Sequence, residues 1–426
     1  MTELVLPKSW KKIKLREIND FKTIIISPNK FQEKFFELYS VPSFQINKPE
    51  FVLGKAIGSS KQEVLPDDIL ICKINPRINR VWKVYKNPKY HQIASSEWIV
   101  FRQKNIIHQF LLRYFQSSFF RDLLCSEVSG VGGSLTRAQP RRVNDYFIPI
   151  APLSEQKVIA DLLDQLIAQL DKLKLHLETI LTTVKQFRQS VLNAAVTGKL
   201  TEDWRTKNSS FKEIKLLKDI IELAYGKALP SKTRSGEGFP VYGSNGIVGY
   251  HSEYLVEGPF IVIGRKGSFG EIVWSSKSGW PIDTSYYVIS KTNDNLKFIY
   301  YLLQTLGLNQ LNRSTAIPGL NRNDAYACKI LIFSPEEQQE IVSRVENYFA
   351  FADKIEQQVK SAQERVYNLT PAILAKAFKG ELTADWRAKH PELISGKNSA
   401  EALLKRIQAE QQTLTKPAKT KKQKII

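Results

Sequence analysis

The sequence predicts an α+β protein in which two domains of mixed strand and helix form a pseudo-two-fold repeat, separated by two long helices packed on each other as a coiled coil. Three observations predict this fold. One stretch of the chain occurs twice at a constant offset, both copies carry an apolar heptad, and the segments before the copies share one order of strands and polar loops. With 426 residues, two or three domains are expected, and 42% apolar content is enough to give them real cores.

The first domain is expected at residues 1–152. Short apolar runs at Ile69–Cys72 and Glu97–Phe101 predict strands, and apolar residues at helical spacing in Phe110–Phe120 predict a helix. Between the strands lies Lys73–Arg80, which is dense in Lys, Arg and Asn. Such side chains can reach phosphates or base edges, although each of them singly is equally compatible with a solvated loop.

The repeat itself is residues 153–207, which align without a gap on residues 335–389 at an offset of 182. The first copy ends in TGKLTEDWR (Thr197–Arg205) and the second in KGELTADWR (Lys379–Arg387). A repeat of this length predicts two copies of one structural element.

Both copies carry apolar residues at alternating spacings of four and three, which predicts a seam along which one helix packs on the other. The competing interpretation is two amphipathic helices, each lying on its own domain. A seam of about 40 residues would extend roughly 60 Å, which is longer than one small domain needs. The predicted seam residues are Leu163, Leu166, Leu170, Leu173, Leu177, Val345, Ile355, Val359 and Val366.

The helix ends are also predicted. Ser154 or Ser334 can accept hydrogen bonds from the first turn of each helix, and Gly198 and Gly380 are placed to end the helices in a left-handed conformation. Pro371 lies inside the second copy, so that helix is expected to kink or restart there.

The second domain is expected at residues 210–334 and repeats the plan of the first. Phe260–Ile263 and Tyr286–Ile289 predict the corresponding strands, and Phe298–Leu303 predicts the helix. The loop Gly264–Gly270 lacks the order of a nucleotide-binding loop, so a hairpin turn or contact with a DNA backbone is favoured. One scaffold with two different polar loops suits a protein that reads two different targets.

Further along, Gly319–Arg322 matches Ser134–Arg137 in its arrangement of small residue, leucine, polar residue and arginine. This match predicts that Arg322 and Arg137 occupy equivalent positions in the two domains.

Charge predicts the class of partner. The chain has 62 basic and 42 acidic residues and a net charge of +20, which indicates a polyanion. A basic membrane-surface protein is the alternative, but no apolar run approaches about 18 residues and no signal peptide is recognised. Cys72, Cys125 and Cys328 lie far apart, which fits a reducing cytoplasm and predicts no metal site.

Motifs for catalysis are not found. The sequence contains neither Asn-Pro-Pro-Tyr nor Asp-Pro-Pro-Tyr, the catalytic motifs of amino-group methyltransferases. It also shows no glycine fingerprint for a dinucleotide or adenosylmethionine, no cysteines or histidines at the spacing of zinc ligands, and no catalytic triad around its five histidines. The chain is therefore expected not to be an enzyme.

The two domains ending in PLSEQ or SPEEQ, each followed by a long helix and GKLTEDWR or GELTADWR, resemble the specificity subunit of Type I restriction–modification systems. The resemblance extends from about Leu6 to Pro391. It implies two target-recognition domains, each reading one half of a split, asymmetric site in double-stranded DNA. The helices would pack antiparallel as a spacer that docks two modification subunits in a cytoplasmic assembly. The modification subunits would methylate adenine, and restriction subunits can be added to cut the DNA.

The resemblance also implies where the chemistry lies. No cofactor is expected on this chain, whereas adenosylmethionine, ATP and Mg are expected on partner subunits. The implied divisions are recognition domain 1 (residues 1–152), helical spacer 1 (153–209), recognition domain 2 (210–334), helical spacer 2 (335–392) and a basic, disordered tail (393–426).

Candidate DNA-binding residues are the cations and hydrogen-bonding side chains of the polar loops and of the segment before each helix. In the first domain they are Lys73, Asn75, Arg77, Asn79, Arg80, Arg137, Arg141 and Arg142. In the second they are Asn245, Arg265, Lys266, Ser268, Asn321 and Arg322. Two other functions stay open, namely a DNA-acting enzyme with an unrecognised catalytic site and a coiled-coil scaffold whose charge is incidental.

Overall fold

A computed structural model describes residues 5–126, 136–311 and 319–415, together with the backbone of Val128 and Ser129. The chain forms two compact units. Unit 1 contains the residues up to Leu175 and those from Gln363 onward, and unit 2 is His176–Ala362. Both boundaries fall inside long helices, so the compact units differ from the predicted division into recognition domains and spacers.

The helices are α1 (His108–Gln116), α2 (Ser118–Ser126), α3 (Pro140–Asn144), α4 (Leu153–Val196), α5 (Glu202–Asn208), α6 (Leu217–Ile220), α7 (Leu296–Thr305), α8 (Arg322–Tyr326), α9 (Pro335–Phe378), α10 (Ala384–Lys389) and α11 (Ala400–Thr415).

The strands of unit 1 are β1 (Lys11–Lys14), β2 (Ile25–Ile26), β3 (Phe35–Tyr39), β4 (Glu50–Leu53), β5 (Lys61–Glu63), β6 (Ile69–Cys72), β7 (Val81–Lys83), β8 (His91–Ala94), β9 (Trp98–Phe101), β10 (Val128–Ser129), β11 (Arg137–Ala138) and β12 (Phe147–Ile150). The strands of unit 2 are β13 (Lys212–Leu216), β14 (Ile221–Tyr225), β15 (Phe239–Gly243), β16 (Gly246–His251), β17 (Phe260–Gly264), β18 (Ile272–Ser275), β19 (Trp280–Pro281), β20 (Ser285–Ser290) and β21 (Lys329–Phe333).

Unit 1 contains a five-stranded sheet in the order β2-β5-β8-β3-β4 and a three-stranded antiparallel sheet β7-β6-β9. The predicted strands at 69–72 and 97–101 are β6 and β9, which pair with each other so that Cys72 lies opposite Trp98. The predicted helix at 110–120 is instead two helices, α1 and α2, because Ser117 interrupts the helical path with an extended backbone. The loop at Lys73–Arg80 therefore follows the central strand β6, whose residues, like those of β9, are all buried.

Unit 2 repeats the β6–β9 pairing with β17 and β20, within a four-stranded sheet β14-β20-β17-β18. Gly264 lies opposite Ser285, as Cys72 does opposite Trp98 in unit 1. Arg265, the residue after β17, therefore occupies the position in unit 2 that Lys73, the residue after β6, occupies in unit 1. Strand β14 is an addition, since β9 pairs only with β6 among the described strands of unit 1.

The core of unit 1 includes a helix that the sequence prediction missed. Leu403, Leu404 and Ile407 of α11 are buried in the same cluster as Trp10, Phe110 and other core residues. The prediction of a disordered tail from residue 393 is wrong for α11, because its apolar face is covered by unit 1. The lysine-rich residues 416–424 lie outside the described part of the chain.

Helices α4 and α9 run antiparallel in each unit. In unit 2, Arg188 of α4 contacts Asp353 of α9 at 2.7 Å, while Val191 and Ala195 cluster with Ile341 at the start of α9. In unit 1, Ile159 and Leu163 at the start of α4 cluster with the end of α9, where the contributing residues are Leu374, Ala377 and Phe378.

The contact between the helices is narrower than the predicted seam. Burial recurs at every seventh residue, at Leu163, Leu170, Leu177, Val184 and Val191 in α4 and at Val345, Ala352, Val359 and Val366 in α9. The alternate heptad positions lie at the margin, where Leu166 and Ile355 are half-buried and Leu173 is 42% exposed. The two helices fully bury only one set of heptad positions against each other, so the residues at the alternate positions stay accessible to solvent.

The predicted helix ends are partly correct. Gly198 and Gly380 have positive φ angles of 73° and 76°, as expected for residues that end a helix. The Ser334 hydroxyl accepts the Glu337 N–H at 3.3 Å, whereas Ser154 lies inside the first turn of α4. Helix α9 continues through Pro371 without a restart, because buried residues on both sides hold the helical path.

Candidate functional site

The polar loop of unit 1 has a fixed backbone. Lys73 continues the sheet, donating its N–H to the carbonyl of Glu97 at 2.9 Å. Asn75 and Asn79 have positive φ angles of 47° and 50° and flank a single 3-10 turn, Pro76–Ile78. Asparagine adopts this left-handed conformation more readily than most residues, which is why two of them can shape the loop.

Two of the predicted DNA-binding side chains hold this loop in place. The Asn79 amide donates to the Phe115 carbonyl at the end of α1, at 3.0 Å. The Arg80 guanidinium donates to the Ile74 carbonyl at 3.1 Å, closing the loop on itself. Arg77 is exposed, and its Nε donates to Asn75 Oδ1 at 3.4 Å. Among the predicted DNA-binding residues at 75–80, Arg77 is therefore the exposed one, with Asn75 half-buried beside it.

An acidic residue that the sequence prediction missed lies beneath the cations of unit 1. Glu97 Oε1 accepts a hydrogen bond from Arg137 at 3.2 Å, and the Lys73 ammonium donates to the adjacent Ser96 carbonyl. Burial lowers the pKa of Lys73, while the charge of Glu97 opposes that shift. Glu97 Oε2 is buried with no hydrogen-bond partner among the described residues. Only the fold brings Glu97 to this loop, so no local pattern marked it.

The segment before α3 returns to the polar loop. The Ala138 N–H donates to the Lys73 carbonyl and the Asn75 N–H to the Thr136 carbonyl, both at 2.9 Å. This backbone contact sets α3 after the loop, with Arg141 and Arg142 exposed on it. The predicted residues of unit 1 thus follow one continuous path, from the end of β6 to α3.

Unit 2 holds its first loop cation in the same way. Arg265 donates its N–H to the Thr284 carbonyl at 2.9 Å, and its Nη1 donates to the Asp283 carbonyl at 2.7 Å. By the strand pairing, Arg265 corresponds to Lys73 and Asp283 to Ser96. Each unit therefore fixes a cation to the carbonyl that lies two residues before the partner strand.

The returning segment corrects one equivalence expected from sequence. The Leu320 N–H donates to the Arg265 carbonyl at 2.9 Å, as Ala138 does to Lys73. Gly319–Arg322 therefore corresponds to Arg137–Pro140, at the same offset of 182 as the repeat. The match to Ser134–Arg137 that was expected from the sequence differs from this by three residues. Arg322 has no arginine counterpart in unit 1, because Pro140 occupies its position.

The remaining loop residues of unit 2 surround a glycine. Asn245 is exposed at the tip of the β15–β16 hairpin, before Gly246 with a φ of 101°. A Cβ on Gly264 would meet the carbonyl oxygens of Ser268 and Ser244 at 2.2 and 2.5 Å, so only glycine allows the hairpin tip to approach this loop. Lys266 and Ser268 are exposed on the loop.

Two arginines of unit 2 share one aromatic ring. The guanidinium carbons of Arg265 and Arg322 lie 5.0 and 5.4 Å from the ring centroid of Tyr225. Asn321, by contrast, caps α8, with its side chain accepting the Asn323 N–H at 2.9 Å. Tyr225 was not predicted as a site residue, because it ends a strand about 40 residues earlier along the chain.

A family model described as the Type I restriction modification DNA specificity domain matches residues 7–181 and again residues 209–364. The chain belongs to this family. The EcoKI specificity subunit of Escherichia coli (strain K12) is 32% identical over 391 residues, covering 84% of this chain and 83% of that protein. The StySPI specificity subunit of Salmonella potsdam is also 32% identical, over 388 residues, with the same coverage of 84% and 83%.

Solved structures share the fold. A chain of a type I R-M system, from work on complex assembly and conformational transition, has a TM-score of 0.72 at 17% identity, covering 88% of this chain and 99% of that chain. The HsdS subunit from Thermoanaerobacter tengcongensis has a TM-score of 0.56 at 17% identity, covering 88% and 98%. At this identity the likeness concerns the fold alone.

In this member of the specificity family, the repeated motifs bind each other across the two copies. Glu155, at the start of α4, accepts hydrogen bonds from Thr383 at 2.7 Å, from Trp10 at 2.9 Å and from Arg387. Both Thr383 and Arg387 belong to GELTADWR in the second copy. The Glu155 side chain has an exposure of 0%.

Unit 2 contains the reciprocal arrangement. Glu337, at the start of α9, accepts from Thr201 at 2.6 Å and from Arg205 Nε at 3.0 Å, both in GKLTEDWR of the first copy. Burial opposes ionisation of Glu337, but hydrogen bonds from Arg205, Ser210 and Thr201 outweigh it and lower its pKa. We call these two arrangements the Glu155 clamp (Glu155, Thr383, Arg387) and the Glu337 clamp (Glu337, Thr201, Arg205).

The glutamine after each clamp glutamate joins the long helix to its recognition domain. Gln156 Oε1 accepts the Ile107 N–H at 3.0 Å before α1, and Gln338 Oε1 accepts the Asn295 N–H at 2.7 Å before α7. The repeated Glu-Gln pair thus fixes both the clamp and the domain helix in each unit.

The described residues, 5–126, 136–311 and 319–415, contain no group of His, Cys, Asp and Glu that could hold a metal ion. Within the described helices, none combines the length and apolar character that crossing a bilayer requires.

Proposed function

We propose that this chain is the DNA sequence-specificity subunit of a Type I restriction–modification assembly, and that its two units read the two halves of a bipartite, asymmetric DNA site. The observation that carries this proposal is the equivalent placement of unlike polar loops. Lys73 and Arg265 occupy the same position after equivalent strands and make equivalent carbonyl contacts. Family membership supports the proposal, since both loops lie inside the residues matched by the DNA specificity domain.

Differences between the loops support an asymmetric site. Unit 1 sets Lys73 and Arg137 around the carboxylate of Glu97, whereas unit 2 sets two arginines on the ring of Tyr225. Base edges are distinguished by the pattern of donors and acceptors that face them. Because the two units present different patterns, they are expected to read different base sequences.

The geometry also divides the candidate residues by role. Exposed cations, namely Arg77, Arg141, Arg142 and Lys266, are suited to phosphate contacts that orient the DNA. Asn75, Asn245, Arg265, Ser268 and Arg322 are candidates for base contact, with Lys73 and Arg137 beside them. Asn79, Arg80 and Asn321 are used inside the protein to hold loops and a helix end.

Partner subunits supply the chemistry in this proposal. The exposed margin of the long helices offers apolar side chains for docking, with Leu173 and Leu369 of unit 1 exposed by 42% and 43%. In unit 2, Ile180 and Tyr348 are exposed by 39% and 43%. We assign the docking of two modification subunits to these helices, with adenosylmethionine on those subunits and ATP and Mg on restriction subunits where these are present.

The test is to co-express this chain with the modification subunit encoded beside it and to map methylated adenines across the host genome. A split motif with two unlike halves and a fixed gap supports the proposal. A stable complex without methylation, or methylation without a split motif, contradicts it. Absence of any complex would favour a scaffold, and methylation or cleavage by the purified chain alone would favour an enzyme.

A further inference from the structure

Two cations, Arg265 and Arg322, contact the ring of Tyr225 on the candidate DNA face of unit 2. Tyr225 is 53% exposed, and both guanidinium groups lie within the distance at which a cation is attracted to an aromatic face, about 6 Å. Two like charges side by side repel each other. The ring offsets part of that repulsion and holds both planar groups at the surface.

The ring is itself fixed by the sheet. Tyr225 ends β14 and pairs with Tyr286 of β20, and the two ring centroids are 5.1 Å apart. Arg322 also lies over Tyr326, at 5.8 Å, and the Tyr326 hydroxyl accepts the Leu223 N–H of the same strand at 2.9 Å. Both rings that contact Arg322 are therefore anchored to β14.

The two arginines differ in the donors they still offer. Arg265 uses Nη1 to reach the Asp283 carbonyl at 2.7 Å. Arg322 has ring contacts but no hydrogen bond or ion pair to any residue that the structure describes. All N–H donors of the Arg322 guanidinium are thus available to a ligand, next to the positive charge of Arg265.

A planar fork of donors selects ligands with two adjacent acceptors. The O6 and N7 atoms of guanine in the major groove and the oxygens of a phosphate both meet this requirement. Because the rings of Tyr225 and Tyr326 lie 5.4 and 5.8 Å from its Cζ atom, the Arg322 guanidinium is held in one place, which favours a partner with two acceptors in fixed positions, such as a base edge, over a phosphate approached from many directions.

From this geometry we infer that Arg322 reads a guanine in the DNA half-site of unit 2, and that Tyr225 is the positioning residue that holds its guanidinium in place. The inference rests on the proposed function, since it requires that unit 2 faces DNA. Guanine is the base class that Arg322 would select, and Tyr225 would act through Arg322 without contacting DNA itself. Unit 1 has no equivalent, because Pro140 stands at the position of Arg322.

The test begins with the methylation map of the wild-type complex, which defines the second half-site. Arg322→Lys keeps the charge and loses the fork, so preference for guanine at one position should fall roughly tenfold while the first half-site stays unchanged. Tyr225→Phe should behave as wild type and Tyr225→Leu should relax the same position. Lys266→Ala serves as the control, weakening binding to all sequences alike.

A second measurement separates the two ligand sources. Wild-type complex should bind a target duplex roughly tenfold more weakly when one guanine of the second half-site is 7-deazaguanine, and the Arg322→Lys complex should show no such difference. A uniform loss of affinity without a change in base preference would mean a phosphate contact and would overturn the inference. An unchanged second half-site in Arg322→Lys would overturn it as well. If the wild-type complex methylates no split motif, the proposed function is wrong, whatever Arg322 does. If Tyr225→Leu does not assemble, the result for Arg322→Lys decides whether Arg322 reads a guanine.

Discussion

Glu155 and Glu337 are buried carboxylates at the starts of two long helices, where ionised glutamate requires strong partners. Each finds them in the other copy of the repeat, where an arginine and a threonine converge on one oxygen. The helix N-terminus adds favourable dipole interaction. These contacts give the repeated residues of LTEDWR and LTADWR a physical role.

Removing the charge of Glu337 should weaken unit 2 selectively. In Glu337→Gln the guanidinium of Arg205 is left without its carboxylate in a largely buried position, and breaking such a pair costs about 3–5 kcal/mol. Hydrogen exchange resolved along the chain should show faster opening of unit 2 and little change in unit 1. Glu336→Gln alters an exposed neighbour and should have no comparable effect; equal effects of the two variants would contradict the clamp.

The Glu337 clamp also predicts a response to pH. The folded pKa of Glu337 lies below the ordinary value of 4.5, so its ionised form stabilises unit 2 above that pH, and the stabilisation is lost as pH falls through the folded pKa. The free energy of unfolding of unit 2 should therefore decrease with acidification below about pH 4. This component should be missing in Glu337→Gln, and an unaltered pH slope in that variant would argue against the clamp.

At the scale of elements, helices α4 and α9 bury one set of heptad positions against each other, and the alternate positions stay half-buried or exposed. Leu170 is 8% exposed and Leu173 is 42% exposed, although both were predicted in the seam. The same periodicity therefore serves two purposes, helix pairing and a surface that the proposed function assigns to partner subunits.

These two leucines provide a matched test. Leu170→Ala removes a buried side chain and should lower the free energy of unfolding by about 2–5 kcal/mol. Leu173→Ala, on the same helix and with the same change in volume, should cost clearly less, because its side chain is already partly hydrated. Chemical denaturation of the chain measures both; a larger loss for Leu173 would show that the seam is wider than the burial pattern indicates.

Local patterns predicted the elements themselves well. Strands β6, β9, β17 and β20 and the glycine ends of both long helices were predicted close to their observed positions. Elements that depend on distant packing were missed. The apolar face of α11 is short, so its sequence did not show that unit 1 covers it.

At the scale of the whole molecule, the proposed function treats the chain as two readers built on one scaffold. Replacing residues 210–334 with the corresponding segment of a relative should change one half of the methylated motif and leave the other unchanged. Adenine mapping of the chimeric complex checks this. A change in both halves, or in neither, would contradict independent reading, provided that the chimera still assembles and methylates.

The sequence by itself determined the repeat, the heptad, the helix ends and the position of the polar loops, because each of these depends on residues close together in the chain. Only the tertiary structure decided which loop side chains are used inside the protein, since Asn79 binds the Phe115 carbonyl of α1 and Arg80 binds the Ile74 carbonyl of its own loop. It also brought two arginines into contact with the ring of Tyr225. Each clamp joins a glutamate of one copy to an arginine of the other, at separations of 132 residues for Arg205–Glu337 and 232 for Arg387–Glu155. Contacts at such separations depend on how the chain returns on itself, and no short window of sequence records that.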